Sequence, residues 1–120
     1  MKTASFIAYK GPGRVCIARW APRGTPAGFR IYKLLAPRRD MLKLECEPYR
    51  RIYFEDILGK LDPQQVSDDL HELAGDAEPV LLCWEKQADI EAGKTYCHRH
   101  MVAEWFKAHL DIDVPEIGAG

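Results

Sequence analysis

The clearest strand signal in the chain is the unbroken apolar run from Pro79 to Trp84. Such a run is typical of a strand that is buried on both faces of a sheet. Ser5–Tyr9 and Val15–Trp20 are shorter β-branched or aromatic segments on either side of Gly11-Pro12-Gly13. They predict two strands, or one strand with a lead-in. The segment Ala21–Phe29 contains two prolines and two glycines and is expected to be a loop.

Helical spacing of apolar residues marks the segments between the predicted strands. A short helix is expected around Arg38–Leu44, and a longer one over Tyr49–Leu58. A third helix is expected to begin at Asp62, with Gln65 completing a capping box, and to end at Gly75.

The last predicted helix runs from about Tyr96 to Leu110. On a helical wheel His98 falls in the middle of the apolar face, whereas His100 falls nearly opposite and is expected to face water. Cys97 and Arg99 lie on the two flanks of that face. The residues that define the face are Met101, Val102, Trp105, Phe106 and His109.

The alternation of helices with a buried strand predicts a small three-layer α/β domain with a mostly parallel, Rossmann-like sheet. A chain of 120 residues with 47% apolar and 29% charged residues fits one ordinary globular domain over 1–120. No apolar run reaches the roughly 18 residues of a membrane span, and the start lacks the features of a signal peptide. We therefore expect a cytoplasmic protein without a membrane partner, and four free thiols.

The charge of the chain is divided unevenly between its two halves. Residues 1–51 hold twelve Lys/Arg against three Asp/Glu, and residues 52–120 hold five against fifteen, giving +9 and −10. The basic half leaves nucleic acid open as a partner, whereas pairing of the two halves would neutralise both. A stripe that could bind nucleic acid would consist of Arg14, Arg23, Arg30, Arg38, Arg39 and Arg50.

Chemistry-bearing residues follow the buried strand and open the last helix. Ligands bind outside the carboxyl ends of strands in open α/β sheets, so Cys83 and Glu85 are expected to share a crevice with Cys97, His98 and Arg99. A helix N-terminus and a nearby arginine favour a thiolate, which makes Cys97 the candidate nucleophile or redox thiol and the most reactive cysteine. Glu85 and His98 are the candidate acid/base pair, and Arg99 could hold an anion.

Other readings of these residues stay open. His98 could only bond a strand carbonyl, and Cys97 could only pack. Ala88–Thr95, "ADIEAGKT", resembles a phosphate loop, but its single glycine and its acidic residues argue against nucleotide binding through Lys94. Cys83, Cys97 and His98 could be zinc ligands, but their spacing does not match the usual paired patterns, so no metal or cofactor is expected.

Several motifs resemble the short members of the domain of unknown function 488 family. They are "VCIARWAPRG", "YKLLAP", "ILGKLDPQQV", "LLCWEK" and "CHRHMVAEWF". The resemblance covers most of Val15–Glu116, although the link between Glu85 and Cys97 is longer than in the family. It implies a small α/β domain of unknown reaction, with matched positions at Arg19, Cys83, Glu85, Cys97, His98 and Arg99.

The leading hypothesis is therefore an enzyme-like domain that acts on a small anionic ligand, such as a nucleotide or a nucleic-acid component. Cys97, His98 and Glu85 are the candidate catalytic residues, and Arg99, Arg19 and Cys83 are the candidate substrate-binding residues. The alternatives are a non-catalytic anion- or nucleotide-binding module, and a nucleic-acid-binding protein that uses the basic half.

Overall fold

The computed structural model describes residues 1–85, 87–93 and 96–117. Its strands are β1 (Lys2–Ser5), β2 (Arg14–Cys16), β3 (Arg30–Ile31) and β4 (Val80–Cys83). Its α-helices are α1 (Cys46–Ile52), α2 (Pro63–Ala74), α3 (Gln87–Glu91) and α4 (His98–Leu110). Shorter helical turns cover Lys33–Leu35, Arg39–Met41, Tyr53–Ile57 and Leu58–Lys60.

The four strands form one sheet in the order β1-β4-β2-β3, and every neighbouring pair is parallel. β4 is central, with Cys83 beside Ser5 of β1 and Leu82 beside Cys16 of β2. All four residues of β4 are buried, which confirms the buried strand predicted from its apolar run. The predicted α/β class with a parallel sheet is confirmed, and α2 and α4 pack on each other and on the sheet.

Both predicted N-terminal strands are displaced or shortened. The first strand is Lys2–Ser5 and not Ser5–Tyr9, because the chain turns after Ser5, whose carbonyl accepts from the Ala8 amide at 3.2 Å. The second strand keeps only the start of the predicted segment, although the Ile17 amide still bonds Leu82 O of β4 at 3.1 Å. Beyond Ile17 the chain leaves the sheet and forms one wall of the crevice described below.

Helix α2 begins and ends where its sequence predicts. The Asp62 carboxylate accepts from the Gln64 amide at 3.0 Å, and Gly75 ends the helix with φ +66°. The predicted capping box does not form, because the Gln65 side chain donates to Asp69 at 2.8 Å instead.

The other predicted helices are confirmed with changes at their ends. Tyr49–Leu58 is helical throughout, while the segment Arg38–Leu44 contains only a single helical turn. Helix α4 has the predicted buried face except for His109, which is exposed in the last turn. None of the described helices combines the length and the apolar character that crossing a membrane requires.

A C-terminal segment extends the sheet edge and matters for the site. Thr3 of β1 forms an isolated parallel bridge with Glu116. The Thr3 amide donates to Pro115 O at 2.9 Å, and the Ile117 amide donates to Thr3 O at 2.8 Å. These bonds fix the Glu116 side chain next to the first turn of α4.

The turn before β2 depends on a glycine, which gives a first prediction. Gly13 has φ +81°, and a Cβ there would overlap the carbonyl oxygen of Glu78. We expect Gly13→Ala to lower the free energy of unfolding by about 2 kcal/mol more than Gly24→Ala. Gly24 is the matched control, because it has φ +78° but no atom within 4 Å of the added Cβ. Urea denaturation of both variants measures this difference, and equal midpoints would contradict the overlap.

Candidate functional site

A pocket opens at the carboxyl edge of the parallel sheet. It has a volume of about 380 Å³ and lies between the end of β4 and the chain that leaves β2. Its apolar and aromatic walls with a few polar groups are typical of small-molecule sites. The residues that line it are Ala18, Arg19, Trp20, Pro37, Leu42, Cys83, Trp84, Glu85 and His98.

Cys83 and Cys97 form a disulfide at the base of this pocket. Their Cα atoms are 7.2 Å apart, and both side chains are buried. Cys83 ends β4 and Cys97 caps the N-terminus of α4, so the sheet edge and the helix start converge as predicted. The expectation of four free thiols is wrong, since only Cys16 and Cys46 are free. Cys97 consequently has no free thiol in this form.

His98 is buried and points toward the sheet, as its position on the helical face predicts. Its Nε2 lies 2.7 Å from Ile17 O. A carbonyl only accepts, so Nε2 carries the ring proton and Nδ1 has a free lone pair. Burial, with a smaller contribution from the Arg99 charge, lowers the pKa of His98 to about 4 against the opposing bond to Ile17 O, so the ring is neutral at pH 7. Nδ1 lies 4.0 Å from Cys97 Sγ.

Arg99 is fully buried, although its sequence position predicts the flank of the helix. Its guanidinium forms a two-pronged pair with Glu116, with N–O distances of 2.9 and 3.0 Å. Nη1 also donates to Glu85 O at 2.8 Å and to Cys83 Sγ at 3.3 Å. The C-terminal segment covers this turn, so Arg99 orients the pocket base and its charge is neutralised by Glu116. An anion would have to displace Glu116 to bind Arg99.

Glu85 follows the cysteine strand at the pocket wall, as predicted. Burial raises the pKa of its carboxyl, while its own backbone and the Arg99 charge oppose that rise. A carboxyl with a raised pKa can keep or donate a proton closer to neutral pH. Glu85 and His98 therefore line the same pocket, and burial shifts their pKa values in opposite directions: it raises that of Glu85 and lowers that of His98.

Arg19 and two tryptophans form the outer wall. Arg19 Nη1 donates to Pro37 O at 3.2 Å, and its buried Nε has no hydrogen-bond partner among the described residues. The guanidinium lies 5.7 Å from the centre of the Trp20 ring. The Trp84 indole donates to Trp20 O at 2.8 Å, and the two tryptophans remain 46% and 55% exposed. Arg19, a predicted anion-binding residue, thus lies at the pocket wall.

Sequence reasoning missed three residues that build the site. Glu116 pairs with Arg99, and Tyr53 packs its ring 5.5 Å from that of His98. The Tyr53 hydroxyl is fixed by a 2.6 Å bond to Leu35 O. Trp20 adds the outer wall. No local pattern marks Glu116, because its partner lies on another element and the contact depends on how the C-terminal segment crosses the sheet.

The predicted basic stripe does not form as one surface. Arg14 is buried and donates to the carbonyls of the following loop. Arg38 pairs with Asp56 at 2.8 Å, and Arg50 pairs with Glu104. These contacts join the basic and the acidic halves of the chain, as the neutralising alternative predicts.

The phosphate-loop segment lies only partly within the described residues. Its first residues belong to α3 and to the turn that follows it. Lys94 and Thr95, on which nucleotide binding would depend, lie outside the described residues. The absence of ATP binding through Lys94 therefore stays a prediction.

The two neighbouring histidines of α4 give a matched prediction. His98→Ala should lower the free energy of unfolding by about 1–3 kcal/mol, because Ile17 O loses its buried partner. His100 is only partly buried, and its ring lies 3.8 Å from Glu116, so His100→Ala should change stability by less than about 0.5 kcal/mol. Chemical denaturation at pH 7.5 compares the two variants. Equal losses would mean that the Ile17 contact contributes nothing.

Comparison of this chain with protein-family models, with curated proteins and with solved structures finds no match. The resemblance to the domain of unknown function 488 family stays a prediction. The candidate site therefore rests on the geometry of the chain itself.

Proposed function

We propose that this protein is a thiol–disulfide redox domain whose Cys83–Cys97 pair exchanges electrons with a small thiol bound in the pocket. The single observation that carries the proposal is the disulfide at the pocket base with the Arg99 guanidinium 3.3 Å from Cys83 Sγ. The Nη1 hydrogen bond stabilises a thiolate at Cys83 even though the Arg99 charge is paired with Glu116. Persistent disulfides are rare in reducing compartments, where those that form are usually catalytic or sensing.

The exchange proceeds in two balanced steps. A substrate thiolate attacks the sulfur of Cys83, a buried residue of the pocket lining; the Cys83–Cys97 bond breaks and Cys97 leaves as a thiolate. Cys97 caps helix α4, whose free amides stabilise that charge. A second substrate thiolate then attacks the substrate sulfur of the mixed disulfide and releases Cys83. Two electrons pass from two thiols to the protein, which takes up two protons.

The pocket supports a role for the remaining residues. Glu85, with its raised pKa, can supply a proton to a departing sulfur. Arg19 lies at the pocket wall and suits a carboxylate or phosphate of the substrate. The tryptophans provide apolar surface for the rest of a small molecule. The sequence analysis made Cys97 the candidate nucleophile or redox thiol, whereas the proposal has the substrate attack Cys83, because Cys83 lines the pocket.

Three finer expectations accompany this proposal. We propose a cytoplasmic location, in which thiols are available as the reductant. We also propose a three-layer, Rossmann-like arrangement of the helices around the sheet. A small anionic ligand remains the proposed partner, with Arg19 as its contact.

The redox proposal predicts a two-electron transition confined to one pair. The wild-type chain is equilibrated in the folded state in buffers of varied reduced and oxidised glutathione, then quenched with acid and alkylated in denaturant, because Cys16 is buried in the fold. The number of alkylated thiols should change from two to four with a two-electron dependence. Alkylation followed by mass measurement gives the fraction at each ratio. Cys16→Ser and Cys46→Ser are the controls, because neither cysteine belongs to the pair and both variants should keep the transition.

Substituting one cysteine of the pair at a time compares the reactivity of the two sulfurs. Cys97→Ser should form a mixed disulfide at Cys83 with oxidised glutathione about tenfold faster than Cys83→Ser forms one at Cys97, because only Cys83 lines the pocket. A pair that is reduced only after denaturation would refute the function and leave a structural disulfide.

A further inference from the structure

The same three side chains form a cluster that suits a metal ion once the disulfide is reduced. Cys83 Sγ, Cys97 Sγ and His98 Nδ1 or Nε2 provide donor atoms that lie within 4.8 Å of one another, and all three residues are buried. We propose that the reduced protein binds one zinc-like divalent ion through the two thiolates and His98 Nδ1. This inference rests on the proposed function in one respect, since it needs a reducible pair.

The surroundings of His98 favour Nδ1 as the ligand. Nε2 donates to Ile17 O at 2.7 Å, so the proton is held on that nitrogen and the lone pair of Nδ1 is directed to the cysteines. Metal-binding histidines commonly donate their other ring nitrogen to a carbonyl or a carboxylate. The ring is also held by Tyr53, whose centroid lies 5.5 Å away.

The charges around the cluster balance for a divalent ion. Two thiolates carry two negative charges, His98 holds its one ring proton on Nε2 toward Ile17 O, and the Arg99 charge is already paired with Glu116. The Arg99 contact to Cys83 Sγ is an N–H···S bond of the kind that tunes sulfur ligands. A Zn²⁺ ion therefore leaves no net charge buried at this site.

Three protein ligands leave a fourth position. Zinc sites with three protein ligands keep the fourth for water or substrate, and here the pocket lined by Cys83 and His98 lies next to the cluster. The spacing of these residues in the sequence argued against a metal, because it does not match the paired motifs of common zinc sites. Those motifs do not describe this cluster, since its ligands come from the end of a strand and the start of a helix.

Oxidation and metal binding exclude each other at these sulfurs. A small-molecule disulfide that oxidises the pair takes two electrons from the two thiolates, which join as Cys83–Cys97 and release the ion. The oxidant is reduced to two thiolates, which take up two protons from solvent. The two cysteines would thus hold an ion under reducing conditions and form a disulfide under oxidising conditions.

The test compares the oxidised and the reduced wild-type protein under anaerobic conditions, using Zn²⁺ and Co²⁺ as probes. The reduced form should bind one ion per chain, with thiolate-to-cobalt absorption, and the oxidised form should bind none. Adding oxidised glutathione should release the ion. This comparison needs no variant, so a failure to fold cannot obscure it.

Variants then assign the ligands. His98→Gln and Cys83→Ser should each weaken binding at least about tenfold, whereas the control Cys46→Ser should not change it.

Reduced wild-type protein with four thiols and no bound ion would overturn the metal site but leave the redox function standing. Binding that persists in Cys83→Ser and disappears in Cys46→Ser would also overturn it. A pair that does not exchange with glutathione, but binds zinc after chemical reduction, would refute the redox function and the release of the ion by oxidised glutathione, and would leave the metal site standing.

Discussion

Arg99→Met is expected to lower the free energy of unfolding by about 3–5 kcal/mol. The variant removes the arginine partner of Glu116, whose side chain is only 6% exposed. The buried carboxylate then keeps the Thr3 hydroxyl and the His100 ring as neighbours but loses its permanent counter-charge. It also removes the donors to Glu85 O and to Cys83 Sγ. Urea denaturation at pH 7.5 measures the loss.

An exposed pair of the same chemistry is the matched control. Arg50 and Glu104 form a similar two-pronged contact, but their side chains are 40% and 53% exposed. Arg50→Met should therefore cost no more than about 1 kcal/mol. The double variant Arg99→Met with Glu116→Met should recover much of the loss, because it leaves no buried charge. Equal losses in Arg99→Met and Arg50→Met would contradict the role of burial.

Lowering the pH from 7.5 to 4 is expected to remove about 3 kcal/mol of stability through His98 alone. The unfolded chain binds a proton at His98 with a pKa near 6.5, whereas burial lowers the folded pKa to about 4. Between these values the unfolded chain holds more protons, so stability rises with pH. The contribution is complete above pH 6.5 and is lost as the pH falls toward 4.

The acid effect is measured on the disulfide form with a chelator present, so that no metal competes for His98. His98→Gln removes the titration but keeps a donor for Ile17 O. The difference in unfolding free energy between wild type and His98→Gln should change by about 3 kcal/mol from pH 7.5 to pH 4. Other groups, including His100 and Glu85, titrate in both proteins and cancel in the difference. A difference independent of pH would show that His98 titrates normally.

The local pattern determined much of the fold. The apolar run that became β4, the capped helix α2 and the inward face of α4 were predicted from residues close together in the chain. His98 was placed correctly by helical periodicity alone, because the side of a helix that a residue occupies depends only on its spacing from its neighbours. The carboxyl edge was also predicted correctly as the place where the candidate residues converge, since parallel strands direct their ends to one edge.

The contacts of the site were decided by tertiary structure. Cys83 binds Cys97 across 14 residues, His98 contacts Ile17 across 81, and Arg99 meets Glu116 through a segment that pairs with β1. The sequence defines which residues are apolar and which helix face is buried. The distance between a strand end and a helix start depends instead on the order of the strands and on how the C-terminal segment crosses the edge of the sheet. For this reason the sequence by itself located the candidate residues and the buried histidine. Only the packing of distant elements made the two cysteines a bonded pair and turned Arg99 from an expected anion ligand into a buried partner of Glu116.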